Sequence, residues 1–381
     1  MIPKPSHSAL SALWTFPSIL FSAFIITWAA EAAQFLMSQG LALAMLAWLQ
    51  TLPEFAVEAV IAWEAGKDPA QTHLAIANFT GSLRLLVGLG WPMVYFVAAA
   101  FRHELMPVKL EKEHSVEVWG LFLPIAYFTF IWWKGTLTLW DAFPLAGAYF
   151  LYLFVLWKIP PVAEDAEAME DVGAVPRKVL ALPGRMRLAA ILGLFCGGGL
   201  LLYFTAHPFL NSMLVIAGSL GVSTFVFVQW VAPFLSEFPE KLSAFYWARK
   251  VSTANVALMN MVSSNINQWS ILSGLIPVIF VISSGHIQPL HLDAMQRHEI
   301  ILTILQSFLG FLLLLNLELR FWEALILFVF WLAQFVMPSI REEMVWVYAA
   351  WCGVEIVKLI LKREMPAAWV GLRETVSRRF A

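Results

Sequence analysis

A succession of apolar segments, each long enough to cross a lipid bilayer as a helix, constrains this chain more than any other feature. A helix needs roughly 20 apolar residues to traverse the hydrocarbon core. Eleven segments meet that requirement: 9–36, 40–63, 71–100, 117–133, 137–157, 187–206, 210–236, 254–284, 298–316, 320–337 and 344–361. The chain is 60% hydrophobic and 13% charged, whereas a soluble domain is about half apolar and about a quarter charged. That much apolar surface does not fit inside one water-soluble core. Period-two alternation is absent, so a lipid-facing barrel is not expected. The expected fold class is all-α, a polytopic transmembrane helix bundle.

The lysines and arginines are distributed unevenly across these spans. On the side holding the N-terminus stand five, among them Lys67, Arg297 and Arg341. The other side holds eighteen, Lys241 among them, and Arg84 is left inside a span. Cytoplasmic loops carry the excess of positive charge, so the expected location is the inner cell membrane, with the N-terminus outside and the C-terminus cytoplasmic. The stretch from Ala9 to Met37 is too long for a signal-peptide core and reads as the first span. Trp14, Trp63, Trp132, Trp133, Trp157, Trp322 and Trp346, near segment ends, suit an interfacial aromatic belt. Cys196 and Cys352 lie in apolar runs and read as buried free thiols.

The longest polar interruption, residues 158–186, is acidic first (Glu164, Asp165, Glu167, Glu170, Asp171) and then basic, with four prolines. It reads as a solvated linker between two halves, 1–157 and 187–337. Residues 338–381 add one further span and a tail. Trp369, Leu372, Val376 and Phe380 recur there among arginines, a pattern for a helix on the membrane surface, with a frayed tail as the alternative.

The two halves resemble each other weakly. Thr51-Leu52-Pro53-Glu54 precedes Asn78-Phe79-Thr80-Gly81-Ser82, and Glu237-Phe238-Pro239-Glu240 precedes Asn260-Met261-Val262-Ser263-Ser264. Five spans separate the copies, so they run in opposite directions. Proline-interrupted helices at matching places in inverted halves point to a transport site. A proline cannot donate to the carbonyl four residues earlier, so Pro53 frees that of Leu49 and Pro239 that of Leu235. Each freed carbonyl lies one turn before a glutamate. Glu58 shares the helical face of Glu54, and Glu237 that of Glu240. One ionised carboxylate at mid-bilayer costs at least about 2.5–3.5 kcal/mol, so four of them are not ornament. Hard cations take such oxygens, with hydroxyls from Thr51, Ser82, Ser236 and Ser264 completing the set. Small polar residues also serve as ordinary packing contacts in membranes, and Gly88 and Gly90 read as packing positions.

At these residues the chain resembles the cation/calcium exchanger superfamily, on its sodium/calcium-exchanger-like side. The family's two repeats read roughly G-T-S-L-P-E and then G-N-x-x-G-S-N one helix later, and the match covers about residues 40–91 and 220–275. The resemblance implies two inverted five-helix repeats plus an additional C-terminal helix. It also implies a cation held by Glu54 and Glu240 with help from Thr51, Ser82, Ser236 and Ser264, and alternating access by sliding of the first and sixth helices. Departures from the pattern are Leu49-Gln50-Thr51 and Leu235-Ser236-Glu237 where Gly-Thr-Ser is expected, and Leu83 and Leu86 where the second copy has Asn265 and Gln268. Arg84 is read as a counter-charge to Glu54 or Glu58, or as an arginine reaching for the outer interface.

The expected function is secondary active antiport, a cation such as calcium exchanged for sodium or protons, since close carboxylates titrate as a coupled set. The expected partners are the lipid bilayer and small inorganic cations, with no nucleic acid and no resident cofactor. The alternative is a degenerate exchanger-fold scaffold or sensor, favoured by Arg84 and Leu86. Catalysis is not expected. His103, His114, His286, His291 and His298 fall between spans without metal-ligand spacing, although His286, His291 and His298 with Asp293 are candidates for an external metal.

Overall fold

The structure is a computed structural model, and it describes residues 9–33, 35, 44, 47–48, 50–159, 173–219, 221, 224–250 and 253–380. The Leu49 carbonyl and the acidic run Glu164–Asp171 lie outside the described residues. The described residues are mostly helical, as the apolar runs require. In lipid only a helix or a closed barrel pairs every backbone group.

The first half comprises α1 (Ala12–Ala33), α2 (Leu52–Lys67), α3 (Thr72–Leu85) continuing through a π turn (Leu86–Gly90) into α4 (Trp91–Arg102), then α5 (Ser115–Lys134) and α6 (Ala142–Lys158). A short α7 (Ala174–Leu180) closes the linker, and α8 spans Gly184–Ser219. A segment opening at Thr224–Val226 passes a second π turn (Phe227–Val231) into α9 (Ala232–Ser236), and α10 follows (Phe238–Ala248). Next come α11 (Ala254–Asn267), a third π turn (Gln268–Leu272), α12 (Ser273–Ser284), α13 (Ala294–Leu314) and α14 (Phe321–Val336). The chain ends with α15 (Arg341–Lys362) and α16 (Ala367–Phe380). Among the described residues eight helical segments are long and apolar enough to cross a membrane, while Phe227–Ser236 and Phe321–Val336 are apolar but shorter.

One expected boundary moves. Segments 187–206 and 210–236 do not divide near Pro208, because α8 runs through it for 36 residues. A rise of about 1.5 Å per residue makes this helix longer than a core of roughly 30 Å, so it tilts or projects. Helix α8 packs along α1, with Phe16 edge-on to Phe209 at 5.2 Å and Ser11 Oγ 2.7 Å from Ser212 Oγ. Gly198 makes room for this contact, since a Cβ there would stand 2.7 Å from Ile26. The first and sixth spans therefore form one packed pair.

The repeat is far more regular in three dimensions than in sequence. From α3 onward the two halves keep a constant offset of 182 residues, as from Leu86 to Gln268 at the π turns. Helices α3 and α11, the junctions at Trp91 and Ser273, and the left-handed residues His103 and Gly285, then Gly135 and Leu317, all obey it. Two small ribbons lie at opposite ends of α5. In one, β1 (Val108–Lys109) pairs antiparallel with β4 (Glu318–Leu319); in the other, β2 (Thr136–Leu137) pairs with β3 (Leu290–His291). Each ribbon takes one strand from each half, and the same offset carries one ribbon onto the other. The halves are inverted repeats knitted together at both ends.

Between them, Trp269 is fully buried, its ring 5.6 Å from Phe79 and 4.8 Å from Phe128, and its Nε1 donates to Ser307 Oγ at 3.1 Å. Trp14, Trp63, Trp133, Trp157, Trp322 and Trp346 stay exposed on the outer surface, as an aromatic belt requires. Cys352 is buried, but Cys196 is exposed on α8, contrary to expectation. The tail is an ordered helix docked on the protein. In α16, Trp369 meets Trp119 of α5 at 5.2 Å, and Gly371 packs on Ser115.

Candidate cation site between the repeats

The two Pro-Glu pairs sit where helices restart. Pro53 is the second residue of α2, and Pro239 the second of α10, so Glu54 and Glu240 both fall in a first helical turn. Unpaired amides at a helix start favour a carboxylate there. In the second copy the chain breaks at Glu237 (φ −91°, ψ 2°), and Pro239 has no N–H to give the Leu235 carbonyl. The breaks hold both glutamates inside the bundle, where Glu54, Glu58, Glu237 and Glu240 are all fully buried.

Side chains from both repeats interlock there. Asn78 Nδ2 donates to Glu54 Oε1 and to Glu58 Oε2, each at 2.7 Å. The hydroxyl of Ser236 donates across the repeat boundary to Glu54 Oε2, and that of Ser82 crosses the other way to Glu237 Oε1. Gln268 Nε2 also donates to Glu237 Oε1 at 2.8 Å. Thr51 Oγ1 accepts from Asn267 Nδ2 at 2.7 Å, and Gln50 Oε1 from Asn260 Nδ2 at 3.0 Å. Glu54, Glu237 and Glu240 lie within electrostatic range of one another, and Ser264 lies near Glu240. All eight sequence-derived candidates thus lie in this region. Asn78, Gln268 and Asn267 join them as hydrogen-bond partners, and Asn260 and Gln50 bond each other beside them.

Lys241 was not anticipated here. It is buried, not in a cytoplasmic loop as the charge distribution had it, and its ammonium donates to Glu237 Oε2. Glu237 therefore does not add a free negative charge to the site, whereas neither Glu54 nor Glu240 has a basic hydrogen-bond partner. The spacing of Glu237 and Lys241, four apart, was the signal.

What remains unpaired defines the chemistry. Both carboxylate oxygens of Glu240, Glu58 Oε1, Ser264 Oγ and the amide oxygens of Asn78, Asn260, Asn265 and Asn267 have no hydrogen-bond partner although buried. Each such group costs about 1–3 kcal/mol. They are all oxygens able to coordinate a cation, which is the ligand preference of hard cations. Among the described residues no three histidine, cysteine or acidic side chains are placed to hold a metal ion, either here or near His286 and His291. A cation would therefore draw on carboxylate, amide and hydroxyl oxygens together. The other histidines are no better placed, since His298 lies within α13 and His114 is buried against Glu117, 3.1 Å away.

Arg84 stays out of this site. Its guanidinium pairs with Glu299 of α13, lies over the Trp230 ring at 5.0 Å and donates to Gln334 at 3.0 Å. Arg341 meets the other Glu299 oxygen at 2.9 Å, and Gln229 adds a bond at 2.8 Å. The arginine is neither a counter-charge to Glu54 or Glu58 nor a surface group.

A cavity of about 460 Å³ lies between α1, α4 and α10, lined by Trp28, Glu31, Ser243, Tyr246 and Arg249. Its inner wall reaches the site through Ser243, whose Oγ accepts from Gln50 Nε2 at 3.1 Å.

The family model described as "Sodium/calcium exchanger protein" matches residues 7–158 and 190–339. A crystal structure described as an H+/Ca2+ exchanger, CAX, is 31% identical, covers 97% of this chain with 92% of its own length, and superposes with a TM-score of 0.88. The sodium-calcium exchanger NCX_Mj, soaked with 10 mM Na+ and zero Ca2+, is 16% identical over 88% of this chain and 100% of its own, with a TM-score of 0.58. No curated protein matches the chain.

Proposed function

The chain belongs to the sodium/calcium exchanger protein family, and from that premise we propose that it is a secondary active antiporter that exchanges calcium for protons or sodium. The observation that carries this reading is the set of buried oxygens without a hydrogen-bond partner around Glu240, Glu58 and Ser264. A divalent ion would satisfy several of them at once. Protons or sodium ions would satisfy the same carboxylates in its place, and this competition couples the two fluxes. Protons and sodium both stand as counter-ions, because the relative at 31% identity is described as an H+/Ca2+ exchanger and the matching family model as a sodium/calcium exchanger protein.

Alternating access would come from the α1–α8 pair sliding over the fixed helices that carry the glutamates. The cavity bounded by Ser243 and Arg249 gives the route on the side richest in lysine and arginine, which is the cytoplasmic side by the positive-inside rule. The protein then lies in the inner membrane with its N-terminus outside. The scaffold reading loses its main support, because Arg84 is spent on Glu299.

Calcium-loaded vesicles carrying the purified protein test the proposal. Calcium release driven by a proton or sodium gradient, lost in Glu240→Gln, is the expected result. Release that the variant leaves unchanged would refute it.

A further inference from the structure

The candidate site already contains a cation of its own. Lys241 is 5% exposed, its ammonium bonded to Glu237. Electrostatically it also acts on Glu54 and Glu240. It stands in the first turn of α10, where the helix dipole disfavours a positive charge, and a buried ammonium is costly unless paired. The helix dipole therefore does not account for it. An ammonium on a flexible four-carbon stem is a compact point charge with three donors. In shape and charge it is a monovalent cation on a tether.

Glu237 is fully occupied, by Lys241 on one oxygen and by Ser82 and Gln268 on the other. Three residues on, Glu240 has no hydrogen-bond partner on either oxygen. Resting on the exchanger reading above, we propose that Lys241 is a resident cation of the transport site, holding the Glu237 position permanently. Transported ions are thereby confined to Glu54, Glu58 and Glu240, and the number of mobile monovalent ions the site accepts falls by one. Lys241 is then a specificity-determining residue.

The test uses the full-length protein in vesicles, with calcium flux measured at increasing sodium. Lys241→Met frees a carboxylate, and sodium is expected to inhibit calcium flux at a concentration about tenfold lower than in wild type. Lys241→Arg keeps the charge and is expected to need more sodium for inhibition than Lys241→Met. Glu237→Gln with Lys241→Met removes both charges, leaves no buried ion unpaired, and is expected to need more sodium for inhibition than Lys241→Met alone. A Lys241→Met protein that carries calcium with unchanged sodium sensitivity overturns the proposal. So does a double variant that loses calcium flux, since Glu237 would then be a ligand of the transported ion itself. A wild type that moves no calcium brings down the exchanger reading, and this proposal with it; either of the other failures leaves that reading standing.

Discussion

Ser236 of the second repeat donates its hydroxyl to the carboxylate of Glu54 in the first. That bond crosses the boundary between inverted halves at the point where both helices are broken, so the two parts of the site cannot move independently while it is made. Hydrogen bonds to charged groups contribute about 1.5–3 kcal/mol. A double-mutant cycle of Ser236→Ala and Glu54→Gln, read by thermal unfolding in detergent, should give a coupling of that order. Additive effects would mean that the two residues do not touch.

Glu54 and Glu240 should not be equal in substitution. Glu54 has donors on both oxygens, from Asn78 and Ser236, whereas Glu240 has none. Glu240→Gln then leaves no hydrogen-bond donor of the protein without its acceptor. Its expected phenotype is a loss of calcium flux of about a hundredfold or more, as for about 3 kcal/mol of binding, with little change in unfolding temperature. Glu54→Gln should lose both flux and stability. A stable, transport-competent Glu240→Gln would contradict the assignment.

The contrast between Glu240 and Lys241 marks how far the sequence can be read. Apolar length alone delivers the helices, and the Pro-Glu pairs announce the breaks, because a missing N–H acts locally. Burial of a particular charge is not a local property. Lys241 looks like any basic residue at a helix end until α10 is seen to turn it inward. Arg84 and Glu299 are paired across 215 positions, a distance over which no periodicity speaks. Pro208 misleads for the opposite reason, since a proline within a membrane helix bends it without having to end it. The constant offset of the repeats was only partly legible, because Asn78 and Ser82 match Asn260 and Ser264 while elsewhere backbone geometry keeps it without residue identity. Left-handed His103 matches Gly285, and Leu317 matches Gly135.

Three consecutive glycines in α8 offer a test of the α1–α8 pairing. A Cβ on Gly198 would press on Ile26 and on the Ser22 carbonyl, at 2.7 and 3.1 Å, while Gly197 and Gly199 have nothing within 4 Å. Small residues let membrane helices approach closely. Gly198→Leu should therefore lower calcium flux and the yield of folded protein, whereas Gly197→Leu and Gly199→Leu should behave as wild type. Equal tolerance at all three would show that α1 and α8 do not pack on this face.

Glu299 makes the last case, because it separates stability from transport. Its two oxygens hold Arg84 and Arg341, and Gln229 shares one of them. Glu299→Gln leaves two guanidinium groups inside the bundle with no carboxylate between them. Breaking a buried ion pair from one side costs about 3–5 kcal/mol, mostly because the surviving charge is stranded. The variant should unfold at a distinctly lower temperature in detergent. Adding Arg84→Gln should recover part of that loss, since one stranded charge is removed. Neither change touches Glu54 or Glu240, so the fraction that folds should keep the wild-type competition between calcium and its counter-ion. A shift in that competition, with stability unaltered, would instead place Glu299 on the path of the ions.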